Sequence, residues 1–130
     1  MKPLFTCLIA VLLLSCQSSE TSLPKGTWGG QGISMVVEDA QVGFEFDCAL
    51  GEIVQTVQLK DNKFTVEGTF SKLRGGAIPV GWQPTPEPAV FEGVLSGNTL
   101  TLGIKLKTDN QGVGTFRLTK DTQGQLHRCL

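Results

Sequence analysis

Thr99-Leu100-Thr101-Leu102-Gly103-Ile104-Lys105-Leu106-Lys107 is the stretch that decides the fold class. Leu100, Leu102, Ile104 and Leu106 recur at every second residue, with Thr99, Thr101, Lys105 and Lys107 between them. Successive side chains of a strand point to opposite faces, so the run has one apolar and one polar face. The same alternation returns upstream. Ile33, Met35 and Val37 alternate with Ser34 and Glu38, and Val42, Phe44 and Phe46 with Gly43, Glu45 and Asp47. Phe64, Val66 and Phe70 alternate with Thr65, Glu67 and Thr69. No amphipathic helix period is found after Cys16.

Turn residues separate these runs at regular spacing: Glu38-Asp39-Ala40, Asp61-Asn62, Gly97-Asn98, Asp109-Asn110-Gln111-Gly112 and Asp121-Thr122-Gln123-Gly124. Asn, Asp and Gly tolerate the positive φ that tight hairpins require. The pattern predicts strands over 26–31, 32–38, 41–48, 52–60, 63–71, 89–96, 99–107, 112–119 and 126–130. With the first two read as one bent strand, eight strands close a small antiparallel meander β-barrel. Its interior is just wide enough for side chains or for one small ligand. Within this all-β frame Glu92 shares a face with Val90 and Val94, and that face is read as the solvent side, with Phe91 and Leu95 pointing in.

Gly26-Thr27-Trp28 on the first strand resembles the G-x-W start of the lipocalin and calycin barrels. The resemblance implies a lipocalin-like barrel in which Trp28 packs across the closed end against a late arginine, with Arg117 or Arg128 in that part. The chain is shorter than a typical lipocalin and lacks the later signatures, so the architecture is carried over and the ligand is not.

The N-terminus carries a second signal. Lys2 precedes an apolar run from Leu4 to Leu14 that is too short to span a bilayer core of about 30 Å but suits an export signal, read as a signal helix. Leu13-Leu14-Ser15-Cys16 resembles a lipobox. The resemblance implies cleavage after Ser15 and lipidation of Cys16, and an ordinary signal-peptide site is the alternative. The chain then divides into a signal peptide, 1–15, a lipidated cysteine with a flexible tether, 16–25, and one barrel domain, 26–130. Gln17 is not the aspartate of inner-membrane retention signals, so the expected location is the cell envelope, at the outer membrane facing the periplasm or the cell surface. Of 11 basic and 12 acidic residues only Lys2 leaves with the signal, giving 10 against 12 and a net charge of −2. No basic cluster is present, and nucleic acid is not expected as a partner; the membrane is reached through the anchor and not through basic side chains.

With Cys7 removed and Cys16 lipidated, Cys48 and Cys129 remain, and two cysteines in an oxidising compartment read as a disulfide. Closing a loop of about 80 residues contributes roughly 4 kcal/mol in the chain-entropy model. Zinc on Cys48, Cys129 and His127 is the alternative, though no CxxC or HxxxH spacing favours it, and the expectation is no metal and no cofactor. The single histidine, the missing G-x-S-x-G elbow and the absence of tyrosine leave hydrolytic catalysis without its usual groups. A noncatalytic protein is expected.

The most unusual segment runs from Lys72 to Pro88, where glycines and prolines forbid a regular strand through most of the length. Loops this long in small domains commonly bind something or are disordered. Arg74, Ile78, Val80 and Trp82 form a candidate binding loop, or else a lid that caps the barrel mouth. Three roles fit: an interaction module for an envelope or secreted protein, a carrier of a small apolar ligand inside the barrel, and a structural envelope lipoprotein. Phe44-Glu45-Phe46-Asp47-Cys48 resembles the aromatic-x-Cys strand of membrane-bound lysozyme inhibitors, which implies an inhibitor-like barrel, although their S-G-A-R-Y segment is absent here.

Overall fold

The alternating runs fold into one antiparallel sheet that closes on itself. The computed structural model describes residues 20–127 and 129. The strands are β1 (Glu20–Ser22), β2 (Gly26–Gly30), β3 (Ile33–Val37), β4 (Val42–Phe46), β5 (Ala49–Ile53), β6 (Gln58–Lys60), β7 (Lys63–Lys72), β8 (Pro86–Ser96), β9 (Thr99–Leu106) and β10 (Gly112–Lys120). Eight of them form the ring, in the order β2-β3-β4-β5-β7-β8-β9-β10, with β10 pairing back onto β2. The protein is an eight-stranded, closed, antiparallel meander barrel. Closure removes the free edges that an open sheet would expose.

Alternation drives the fold as the sequence indicates. In β9 the side chains of Leu100, Leu102, Ile104 and Leu106 are buried, while those of Thr101 and Lys105 are exposed. In β8 Ala89, Phe91 and Gly93 face inward, and Glu92 stands on the solvent side. Among the described residues the core holds 21 apolar side chains and no polar or charged one, and interiors of this kind pack densely. The rings of Phe44 and Phe91 stack at 4.9 Å, and Phe46 packs against Phe70 and Phe116 at 5.4 and 5.2 Å. Space for these rings comes from glycine. A Cβ on Gly68 would run into the Glu52 carbonyl and sit 2.8 Å from the ring of Phe91.

The route to eight strands differs from the one read in the sequence. The segments 26–31 and 32–38 are not one bent strand. They form a hairpin, β2 against β3, with Gly30 opposite Ile33 and Gly32 at φ +74° in the turn. No Asn or Asp marks this turn, which is why composition did not reveal it. The segment 126–130 is not a strand in its described part. Instead, the tail after β10 runs up the outside of the barrel. Asp121 N–H donates to the Thr27 carbonyl, Gln125 N–H to Gly30 and Gly32 N–H to Gln125. Gly29 and Gly124 allow this close passage, since a Cβ on either would strike backbone. The segment 52–60 is broken into β5 and β6 by an irregular stretch that exposes Val54 and buries Val57.

The tether also proves shorter than its composition implies. Glu20, Thr21 and Ser22 pair with Lys60, Leu59 and Gln58, so β1 straps the end of the barrel through β6. Leu23 is buried and donates its N–H to the Val57 carbonyl, and the Pro24 carbonyl accepts from Trp28 Nε1 at 3.1 Å. Polar side chains suggested a spacer because strand pairing uses backbone groups, which every residue carries. The folded domain therefore begins by Glu20. Residues 1–15, read from the sequence as an export signal, Cys16 and Arg128 lie outside the described residues.

Because the strands alternate in direction, the barrel has two distinct ends. The strap end carries β1 and the turns 38–41, 61–62 and 97–98. The loop end carries the turns 31–32, 47–48 and 107–111, together with the long segment between β7 and β8.

Candidate functional site

The segment between β7 and β8 is shorter than the sequence indicates. β8 starts at Pro86, and Pro86 and Pro88 pair with Ser71 and Thr69 of β7. Both prolines precede the first pairing of β8 with β9, at Ala89, and on that side only the Pro88 carbonyl is engaged, accepting from the Lys107 N–H at 2.9 Å. A missing N–H is tolerated at such an edge. The irregular loop is thus 73–85. Its base is fixed by the Leu73 N–H, which donates to the Cys48 carbonyl at 3.0 Å. Its tip is the turn Pro79-Val80-Gly81-Trp82, in which Trp82 N–H donates to the Pro79 carbonyl at 3.1 Å. Gly81 has φ +82°, the value a type II turn demands at its third position. The turn projects Val80 fully into solvent, while Ile78 is 59% exposed. Neither residue caps the barrel mouth; Trp82 alone is half-buried.

Beneath the loop lies a groove of about 460 Å³ lined by Glu45, Asp47, Arg74, Ile78, Trp82, Leu126, His127 and Cys129, among others. The pairing of Cys48 with Cys129 builds one wall. It forms as read from the sequence, across 81 residues with the Cα atoms 4.8 Å apart. His127 is held beside it by its N–H, which donates to Asp47 Oδ1 at 2.9 Å, with His127 Nδ1 at 3.7 Å from the same oxygen. Arg74 is exposed and makes no ion pair among the described residues. With both cysteines bonded to each other, zinc on Cys48, Cys129 and His127 has lost two ligands. No group of three metal-ligating side chains occurs among the described residues.

A second depression adjoins the groove, and the sequence reading missed it. It is a trough of about 400 Å³ on the outer face of β3, β4, β5 and β7. The register sets Ser34, Glu45, Leu50 and Ser71 in one row, and Val36, Gly43, Glu52 and Thr69 in the next. Gly43, with nothing within 4 Å of its missing side chain, opens the middle. The residues are far apart in sequence, and only the strand register brings them together. Glu45 lines both the trough and the groove. Glu45 and Glu52 are exposed and have no cation partner among the described residues. Among the described residues, four of the seven exposed large apolar side chains, Val36, Leu50, Ile78 and Leu126, line these two adjoining depressions.

Trp28 and Arg117 do not pair at the barrel end, and Arg128, the other arginine read for that part, lies outside the described residues. Trp28 is buried among the core side chains, with its indole N–H bound to the strap. Arg117 lies between the inward residues Phe116 and Leu118, pairs with Thr101 and is exposed on the outer wall. After the register shift between Gly112 and Gly114, Arg117 falls on the outward side of β10, which spacing from Gly26-Thr27-Trp28 could not reveal. Comparison with known proteins adds no relative: no family model, no curated protein and no solved structure matches the chain.

Proposed function

We propose that this chain is a membrane-anchored, noncatalytic interaction module of the cell envelope, which binds a protein through the face formed by the trough and the loop-end groove. One observation carries the reading: exposed apolar side chains from four separate segments gather on that face, on a rigid barrel, beside carboxylates without partners among the described residues. Apolar clusters of this kind, rimmed by polar groups, mark interaction sites. Loops held on a rigid scaffold are common carriers of recognition. A polypeptide surface with an apolar centre and basic side chains at its rim would match Leu50, Ile78 and Trp82 flanked by Glu45 and Glu52. The filled interior argues against the carrier of a small apolar ligand. The envelope location rests on Leu13-Leu14-Ser15-Cys16 and the short apolar run before it.

Two measurements test the parts separately. Palmitate label and intact mass should show the mature chain lipidated at Cys16, and Cys16→Ala should abolish the label; an unlabelled parent chain would remove the anchor. The double variant Leu50→Asp/Ile78→Asp should melt within a few degrees of the parent, since both positions are solvent-exposed. It should also lose at least about tenfold in affinity for whichever envelope or secreted protein the parent binds, as expected when apolar anchors of an interface are removed. Equal binding by parent and variant would exclude this face.

A further inference from the structure

The two ends of the barrel differ in what they carry. β1 enters at the strap end, where Glu20 pairs with Lys60 beside the 61–62 turn. The groove and the exposed tip at Val80 lie at the opposite end. Between Cys16 and Glu20 there are only three residues, Gln17, Ser18 and Ser19. Such a stretch reaches at most about 14 Å even when fully extended. A barrel of this strand length, tilted as eight-stranded barrels are, stands about 25 Å tall. A tether shorter than the barrel cannot let it invert so that the loop end alone meets the lipid while β1 remains paired, and a barrel lying on its side would press the wall that carries Glu45 and Glu52 towards the headgroups or leave it facing out.

We propose that the barrel stands on its membrane by the strap end, so that the loop-end face is held away from the lipid and turned to a protein partner beyond it. This stance rests on the lipid anchor at Cys16. The apolar tip invites a different occupant, the membrane itself, and two observations oppose that. The tip lies at the end remote from the anchor. The same face also carries Glu45 and Glu52 without cation partners among the described residues, against one unpaired cation, Arg74; an anionic lipid surface would repel this acidic balance and a basic protein rim would attract it. The strap end suits close approach to headgroups, because its charges are of both signs: Lys25 pairs with Asp39, and Lys120 with Asp121.

The stance is tested on the full chain, exported and reconstituted in vesicles of zwitterionic and anionic lipid that contain an acceptor dye at the headgroups. A donor dye is placed at Asp61→Cys or at Val80→Cys, with lipidation and the Cys48–Cys129 bond verified by intact mass. Energy transfer from position 61 should be at least about threefold stronger than from position 80, given ends about 25 Å apart. Lipidated Val80→Asp should remain on the vesicles as firmly as the parent. Equal or reversed transfer in a lipidated chain overturns the stance alone, whereas an unmodified Cys16 overturns the anchor and the stance together. Release of Val80→Asp from the vesicles would make the membrane the occupant of the loop. A parent dimer that dissociates in Val80→Asp would make the occupant a second copy. Either result overturns the proposal.

Discussion

At the scale of single residues, the positions that matter most are those where a small side chain makes room for a large one. Gly68 faces inward on β7, and the ring of Phe91 and the Glu52 carbonyl occupy the space where its side chain would stand. Gly43 faces outward over open space. The two glycines should therefore respond differently to one added methyl group. Gly68→Ala should destabilise the fold by about 1–3 kcal/mol through overpacking, and Gly43→Ala should stay within about 0.5 kcal/mol of the parent. Urea unfolding of the two variants checks this, and equal midpoints would contradict the packing described. His127 shows how a residue acquires its place from a neighbour far away in the chain. His127 is set by Asp47, 80 positions earlier, through one backbone hydrogen bond.

At the scale of elements, two segments outside the ring complete the barrel. The N-terminal strap covers the end where β5 gives way to β6, with Leu23 buried and its N–H bound to Val57. The C-terminal tail lies on the outer face of β2, and its end is pinned by Cys48–Cys129 at the groove. Reduction should lower stability by up to roughly 4 kcal/mol in the chain-entropy model. The loss should concentrate in the tail: hydrogen exchange at Gln125 and His127 should rise before that of β9. Melting with and without reductant, together with exchange measured by mass spectrometry, tests both statements. An unchanged melting point would mean that the tail is held by its backbone hydrogen bonds alone.

At the scale of the whole molecule, a closed ring of eight strands leaves an interior that side chains alone fill. Trp28, Phe44, Phe64, Phe70 and Phe91 supply much of that volume, and among the described residues no polar side chain is buried with them. A carrier needs empty space and, for most ligands, a polar group to orient them. A fluorescent fatty-acid analogue is therefore expected to show no saturable binding to the soluble domain at micromolar concentration. Saturable binding, lost on substitution of an inward residue such as Phe91, would show that the interior opens.

The sequence by itself determined the all-β class, the positions of β4 and of β7 to β10 in outline, the inward set on β8 and β9, and the pairing of Cys48 with Cys129. These follow from alternation, turn residues and cysteine count, all of which are local or compositional. Only the tertiary structure decided how eight strands are counted, because the β2–β3 turn is signalled by Gly32 alone and the last predicted strand is a tail. It also decided that residues 20–25 belong to the fold, that Arg117 faces away from Trp28, and that Glu45 joins a trough to a groove. The reason is the same in each case. Backbone pairing can recruit any residue, and the register between distant strands determines which side chains meet, and neither is written in the local pattern of apolar and polar residues.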